Sequence, residues 1–309
     1  MRGPTHSFLL REAGMRLDDE AESTNYEIRS GRGGGGFGLP VGIPLGRGGL
    51  GCGSLILIGI ISLVLGVNPL TLLGDGGGQG PVVQQQSQPG EAPGSSGEKT
   101  PVMSRSLKVL GSTERVWGRL FQEQGGTYQP TTLVFYSGGT QAGCGFANAS
   151  AGPFYCPADK RIFLDTSFFD ELSGRFGAPG DFAQAYVIAH EVGHHVQDLE
   201  GTLDKVHAAQ NRLSEREANA LQVKVELQAD CYAGVWAAQD RNLLEPGDAE
   251  AGLRAAAAVG DDTLQKASQG YVVPEGFTHG SAADRQKWLR IGLDSGDPAR
   301  CDTFGSRGP

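Results

Sequence analysis

Half of the six histidines in this 309-residue chain lie within six positions of one another. The segment VIAHEVGHHVQD, residues 187–198, places His190, Glu191 and His194 in the spacing H-E-x-x-H. Residues four apart on an α-helix project from one face, so His190 and His194 could together bind one Zn²⁺ ion. Glu191 is rotated by about 100° from His190 and is placed to act as general base toward metal-activated water. His195 points elsewhere on the helix and is interpreted as a packing or surface residue.

Incidental surface histidines are the alternative interpretation of this segment. The apolar residues around the motif disfavour it, because buried imidazole rings need hydrogen-bonding partners. Gly193, inside the motif, is expected to let a neighbouring helix or the backbone come close to the metal, since glycine otherwise costs about 1 kcal/mol in the middle of a helix.

A catalytic zinc ion usually has three protein ligands, and the segment ELQAD supplies the predicted third one, Glu226. Asp230 follows four residues later on the same helical face and is expected to orient a ligand histidine by accepting its other N–H. A solvated helix face is the alternative for this pair. Glu200 and Asp204 are weaker candidates for the third ligand, since each follows the H-E-x-x-H segment closely.

The pattern of helices and strands predicts an α+β domain, with few strands and several helices. The predicted strands span 131–138 and 161–168, and the predicted helices span 105–125, 181–200, 214–239, 247–267 and 281–293. Asp181 is the expected N-cap of the H-E-x-x-H helix, while Ser214 and Glu217 form a capping-box pattern at the start of the helix that carries Glu226.

A membrane segment is predicted upstream of this domain. Residues 54–73, SLILIGIISLVLGVNPLTLL, carry no charged side chain and are long enough to span a bilayer at about 1.5 Å per residue. Arg29, Arg32 and Arg47 precede the segment and Asp75 follows it, which predicts a cytoplasmic N-terminus and an extracytoplasmic domain in a single-pass protein of the cell membrane. A buried core helix is disfavoured by the Gly-rich flanks. A cleaved signal peptide is disfavoured because the apolar stretch begins some fifty residues into the chain.

The predicted organisation has four parts, which are a disordered cytoplasmic arm (1–49), a transmembrane helix (50–73), a flexible linker (74–100) and the zinc domain (101–309). The lipid bilayer is therefore an expected partner. A net charge of −9 argues against a nucleic-acid binder, because phosphate contacts need clustered Lys and Arg.

Four of the five cysteines, Cys144, Cys156, Cys231 and Cys301, lie in the part predicted to be exported. An even number in an oxidising compartment indicates two disulfides. Four cysteines allow three connectivities. One hypothesis pairs Cys144 with Cys156 across a short loop and leaves Cys231 with Cys301, and buried free thiols are the alternative.

The segments AHEVGHHVQ, ELQADCYAGVW, THGSAADRQKWL and CGFANASAGPFYCPADKRIFLD together resemble the YpfJ-type neutral zinc metallopeptidase family. The resemblance covers most of residues 101–305 together with the N-terminal segment and the predicted membrane anchor. More distantly, the layout is similar to thermolysin-like zincins with a glutamate as third ligand. This implies a zincin fold, in which a small sheet lies over the H-E-x-x-H helix and an extended peptide or protein substrate adds to its edge strand. KRIFLD, residues 160–165, is the candidate edge.

Similarity to zincins with a late functional histidine implies that His279 stabilises the oxyanion of the tetrahedral intermediate. Tyr271 is a weaker alternative donor. Arg285, near the start of the following helix, is expected to brace the site by pairing with a carboxylate, or else to be a surface charge. The hypothesis is zinc-dependent peptide hydrolysis, and the alternative is a catalytically silent, zinc-stabilised peptide-binding or scaffold module of the cell envelope.

Overall fold

The computed structural model describes residues 14–29, 99–148, 152–174 and 180–305 as a mixed α+β domain. The predicted transmembrane helix at 50–73 lies outside these ranges, as does the predicted linker apart from its last two residues. No helix within the described ranges is both long and apolar enough to cross a membrane.

The described part of the chain contains eight α-helices, six β-strands and three short 3-10 helices. The helices are α1 (Pro101–Glu123), α2 (Phe168–Gly174), α3 (Asp181–Leu199), α4 (Thr202–Gln210), α5 (Glu215–Gln239), α6 (Asp248–Ala258), α7 (Asp261–Gln269) and α8 (Ala282–Ser295). The strands are β1 (Tyr26–Arg29), β2 (Thr132–Tyr136), β3 (Gly139–Ala142), β4 (Gly145–Asn148), β5 (Phe154–Cys156) and β6 (Arg161–Asp165).

Side-chain N-caps mark the starts of α1, α5 and α8, at Thr100, Ser214 and Ser281. The prediction that Asp181 caps α3 is wrong, because Gly180 is the N-cap and Asp181 is already the first helical residue. The capping box of Ser214 and Glu217 forms as expected at the start of α5. The helix predicted over 247–267 is instead two helices, α6 and α7, because the chain turns at Gly260. A Cβ at Gly260 would lie 2.5 Å from the backbone nitrogen of Ala282, so the turn also allows close contact with the start of α8.

The main sheet has the strand order β1-β2-β6-β5, with β1, β2 and β6 parallel and β5 antiparallel to β6. The prediction that KRIFLD forms the substrate-binding edge is therefore wrong, because β6 is hydrogen-bonded on both sides. The edges of this sheet, within the described ranges, are β1 and β5. Strands β3 and β4 form a separate hairpin.

Alternate residues of β2 and β6 face two different hydrophobic cores, as the two-residue period of a strand requires. Leu133 and Ile162 belong to the large core formed with the helices, whereas Val134 and Phe163 belong to a small core under the β3–β4 hairpin. The hypothesised disulfides are both present. Cys144–Cys156 joins the hairpin to β5, and Cys231–Cys301 joins α5 to the C-terminal segment.

The prediction of a disordered arm over 1–49 is wrong for residues 14–29. These residues pack on the domain, where Met15 and Leu17 are buried in the large core and Tyr26–Arg29 extends the sheet as β1. The contact with α1 is so close that a Cβ at Gly111 would lie 2.6 Å from the carbonyl oxygen of Ala21. The folded unit therefore begins before residue 101 and includes the N-terminal segment 14–29.

The β1–β2 pairing also constrains the predicted membrane topology. Four residues of β1 pair in parallel register with β2, so residues 14–29 and 99–305 lie on the same side of any membrane. A single crossing by residues 50–73 would separate the two strands. The predicted cytoplasmic N-terminus and extracytoplasmic domain are therefore at odds with this pairing.

The two longest buried helices of the site, α3 and α5, touch at a glycine. A Cβ at Gly193 would lie 3.0 Å from both the Cα and the carbonyl oxygen of Ala229, so a side chain there would push α5 away. Helix α8 packs on the other side of α5 with a similar close contact, in which a Cβ at Gly292 would lie 2.0 Å from the carbonyl oxygen of Cys231. Three helices thus meet at the centre of the domain.

Candidate metal centre

The H-E-x-x-H face of α3 meets the ELQAD face of α5. The Nε2 atom of His190 lies 3.3 Å from Oε2 of Glu226, and the Nε2 atom of His194 lies 3.6 Å from the same oxygen. One ligand atom from each of the three residues lies within 4.8 Å of the other two. His190 and Glu226 are buried, each with 7% exposure, and His194 is partly buried.

A second carboxylate supports this group from behind. Asp230 is fully buried and accepts a hydrogen bond from Nδ1 of His190 at 2.9 Å. Arg285 of α8 binds both carboxylate oxygens of Asp230 at 2.9 Å, and the hydroxyl of Tyr186 donates to the same carboxylate at 2.6 Å. Arg285 itself is 4% exposed, so it is a buried counter-ion and not a surface charge.

These neighbours set the pKa values of the buried groups. Burial lowers the pKa of His190, but the carboxylates of Asp230 and Glu226 together outweigh burial and raise that pKa to about 9. Burial raises the pKa of Glu226, yet His194 and His190 hold it well below its usual range. Burial also raises the pKa of Asp230, and Arg285 and His190 more than offset this. Both carboxylates are therefore ionised, as a metal ligand and its supporting carboxylate must be.

The donor set fits a zinc ion. Two imidazole nitrogens and one carboxylate converge on one point, which is the ligand set of catalytic zinc sites that keep a further position open. His190 has its other ring nitrogen held by a carboxylate, as zinc-binding histidines usually do. His190, His194 and Glu226 are thus the residues that would hold the ion.

Glu191 lies on α3 between the two histidines and is 7% exposed. Among the residues that the structure describes, none forms a hydrogen bond or ion pair with its carboxylate. This absence of a competing contact is compatible with the general-base role predicted from the sequence.

His279 precedes α8 and is held by the start of α7. The backbone N–H groups of Thr278, His279 and Gly280 all donate to Oδ2 of Asp261, at 2.7, 2.6 and 2.9 Å. The imidazole Nδ1 lies 3.3 Å from the other Asp261 oxygen. Burial lowers the pKa of His279, while Asp261 and then Glu226 raise it, and the net shift is upward. His279 is therefore close enough to Glu226 for that carboxylate to contribute to the upward shift of its pKa.

The alternative candidates lie elsewhere. Glu200 accepts a hydrogen bond from the hydroxyl of Tyr232 at 2.9 Å, and Asp204 is exposed on α4. Neither belongs to the converging group. Tyr271 is 62% exposed in the loop after α7. His195 is buried and packs as predicted, with its Nδ1 atom 3.0 Å from the Tyr155 hydroxyl.

Several residues that contact the site were not predicted from the sequence. Tyr186 and Gln222 lie one helical turn before His190 and Glu226, so the spacing of four could have found them. Gln197 lies three residues after His194 and could have been found in the same way. Asp261 had no such signal, because its partner His279 is 18 residues away and only the fold brings them together.

Comparison with known proteins agrees with this geometry. Residues 15–304 match the model of the family described as "Putative neutral zinc metallopeptidase". The matched range includes residues 15–29, in line with the packing of the N-terminal segment on the domain.

Two relatives illustrate the match. The chain is 47% identical over 299 residues to the protein YpfJ of Escherichia coli (strain K12), covering 94% of this chain and 99% of the relative. It is 43% identical over 216 residues to the protein Rv2575 of Mycobacterium tuberculosis (strain ATCC 25618 / H37Rv), covering 66% of this chain and 71% of the relative. No solved structure gives a significant match.

Removing the carboxylate of Glu226 should weaken zinc binding. We expect Glu226→Ala to lose more affinity than the roughly 10–100-fold typical for loss of a residue that only supports a ligand. The measurement is competition for zinc with a chromophoric chelator. Glu215→Ala, an exposed carboxylate on the same helix, is the matched control and should bind zinc like the wild type. Unchanged affinity in Glu226→Ala would rule out this ligand.

Proposed function

The chain belongs to the neutral zinc metallopeptidase family, and we propose that it hydrolyses peptide bonds with Glu191 as the general base. The observation that carries this proposal is the convergence of His190, His194 and Glu226, with Glu191 next to His190 on α3 and without a partner among the described residues. A purely structural zinc site is usually closed by four protein ligands and has no use for a free base.

Zinc, when bound, lowers the pKa of a water molecule in the site and polarises the substrate carbonyl. Glu191 accepts a proton from that water molecule while the water oxygen forms a bond to the carbonyl carbon of the substrate. The carbon–nitrogen bond then breaks, and the proton held by Glu191 passes to the leaving amine. The carboxylate returns to its starting state, so the same residue serves as base and then as acid.

We propose that His279 donates a hydrogen bond to the oxyanion that forms on the carbonyl oxygen. Its upward-shifted pKa favours the protonated ring, and Asp261 holds both its backbone and its Nδ1 atom, which leaves Nε2 available as the donor. A donor that is already oriented costs little reorganisation when the charge develops.

The substrate is proposed to bind as an additional strand on β5, in a zincin-like arrangement. Strand β5 is an edge of the described sheet, and it rests on α3 through Tyr155, whose hydroxyl donates to Asp198 at 2.8 Å. An extended peptide could form backbone hydrogen bonds along this edge, as in other strand-addition complexes. This places the expected substrate strand one position away from the β6 segment favoured by the sequence.

The second candidate is a zinc-stabilised module that holds peptides without cutting them. Such a module could bind its peptide along the same β5 edge. The carboxylate of Glu191, which has no partner among the described residues, disfavours this candidate because a binding module needs no general base. Turnover separates the two candidates, since both need the zinc ion and the peptide.

The test of the proposed function uses the full chain, because residues 14–29 are part of the folded domain. The zinc-loaded wild type should cleave a mixed peptide library, and Glu191→Gln should lower kcat by about 10²–10⁴-fold while still binding one zinc per chain. Glu250→Gln, an exposed carboxylate on α6, is the control and should cleave normally. Zinc-loaded wild type that binds the library without cutting it would favour the binding module.

His279→Ala should lower kcat by about 10²–10³-fold, as loss of an oxyanion donor does, with little change in KM or zinc affinity. The readout is steady-state kinetics on the best peptide from the library, beside a zinc titration. His207→Ala changes an exposed histidine on α4 and should have no effect. A rise in KM alone would assign His279 to substrate binding.

The domain, together with residues 14–29, is proposed to act outside the cytoplasm, and its attachment to the cell membrane through residues 50–73 stays a prediction. The two disulfides support an oxidising compartment. In protein taken from acid-quenched cells, alkylation without reductant should label one cysteine, Cys52, and alkylation after reduction should label all five. Intact mass gives the count, and Cys52→Ser should give none without reductant. Labelling of all five at the outset would contradict this location.

A further inference from the structure

The second histidine of the candidate metal centre, His194, is held by an amide and not by a carboxylate. Gln197 lies one helical turn after it on α3 and is fully buried. Its Oε1 atom lies 2.9 Å from Nδ1 of His194. A buried amide without partners would be costly, so each of its contacts constrains how it is oriented.

The other contacts of Gln197 fix the direction of this hydrogen bond. Its Nε2 atom lies 2.8 Å from the backbone oxygen of Val225 and 2.9 Å from Oε1 of Gln228. A backbone carbonyl can only accept, so the atom facing Val225 must be the nitrogen. The atom facing His194 is then the oxygen, which accepts the proton on Nδ1. The Nε2 lone pair of His194 is left pointing to the side of Glu226.

Gln228 extends the network to the C-terminal segment. Its Nε2 atom donates to the backbone oxygen of Cys301 at 3.1 Å, and so its Oε1 atom is the one that faces Gln197. Cys301 is in turn fixed to α5 by the disulfide with Cys231, and the hydroxyl of Thr303 donates to the backbone oxygen of Lys224. Each residue of this series therefore donates to the next, from His194 Nδ1–H to Gln197, from Gln197 to Gln228, and from Gln228 to the backbone oxygen of Cys301.

We propose that Gln197, backed by Gln228, is a positioning residue that holds His194 in its Nδ1–H tautomer and so presents Nε2 to the metal. The inference rests on the zinc site of the proposed function. The two histidines are then held by different groups. His190 is hydrogen-bonded to the buried carboxylate of Asp230, and His194 is held by the neutral amides of Gln197 and Gln228. The neutral support adds no further buried charge beside Glu226.

The experiment compares two substitutions of the same residue in the full chain. Gln197→Met keeps the length of the side chain but removes the acceptor for Nδ1–H. We expect zinc affinity to fall roughly 10–100-fold, as for loss of other supporting partners of metal ligands. Gln197→Glu keeps the acceptor but loses both donated hydrogen bonds. It should unfold at a lower temperature than the wild type and keep zinc affinity within about tenfold.

The tautomer is read directly in the metal-free protein. Long-range ¹H–¹⁵N correlation spectra of the imidazole nitrogens should show His194 as the Nδ1–H tautomer in the wild type and in Gln197→Glu, and as a mixture in Gln197→Met. Gln239→Met removes a glutamine at the end of α5 that binds Gly296 and Arg119, and it should change neither the tautomer nor zinc affinity.

The outcomes separate this inference from the proposed function. Wild-type affinity in Gln197→Met, or equal losses in the Met and Glu variants, would overturn the positioning role. An Nε2–H tautomer in the wild type would overturn it as well. If the wild-type protein binds no zinc but shows the Nδ1–H tautomer, the proposed function is refuted. Gln197 would then still be the residue that fixes the tautomer of the His194 ring.

Discussion

The candidate site depends on the contact between α3 and α5 at Gly193 and Ala229. The missing Cβ lets the two helices touch, and a side chain at that position would meet the backbone of α5 at 3.0 Å. His190 and His194 lie on either side of this contact on α3, and Glu226 lies one turn before Ala229 on α5. The distances of 3.3 and 3.6 Å between imidazole nitrogens and the carboxylate therefore follow from how closely the helices approach.

Such a contact brings charges into the interior, and the rest of the domain offsets their cost. Asp230 would be strongly destabilising if it were buried alone. Arg285 of α8 binds both of its oxygens, and α8 reaches that position because Gly292 lets it pack directly on the backbone of α5. The C-terminal helix is thus part of the site and not merely a neighbour of it. The amide pair of Gln197 and Gln228 gives His194 a support that brings no further charge.

The N-terminal segment 14–29 changes how the whole chain is understood. It supplies β1 of the main sheet and covers α1, although 69 residues separate it from Lys99. Because strand pairing requires contact, this segment shares a compartment with the domain. The apolar stretch at 54–73 therefore lies between two parts of one folded unit, and a fragment that starts at residue 101 lacks an edge strand of that unit.

Sequence alone determined what depends on local spacing. The four-residue period of a helix put His190 beside His194 and Glu226 beside Asp230, the capping box marked the start of α5, and the mixed α+β class followed from the pattern of elements. Only the tertiary structure decided which elements meet. In the structure β6 is paired on both sides, so β5 is a free edge, and residues 14–29 belong to the sheet. The contacts of Asp261 with His279 and of Gln197 with Gln228 likewise appear only in the folded chain. These contacts depend on packing between distant segments, and the spacing of residues along one helix or strand carries no information about its neighbours in space.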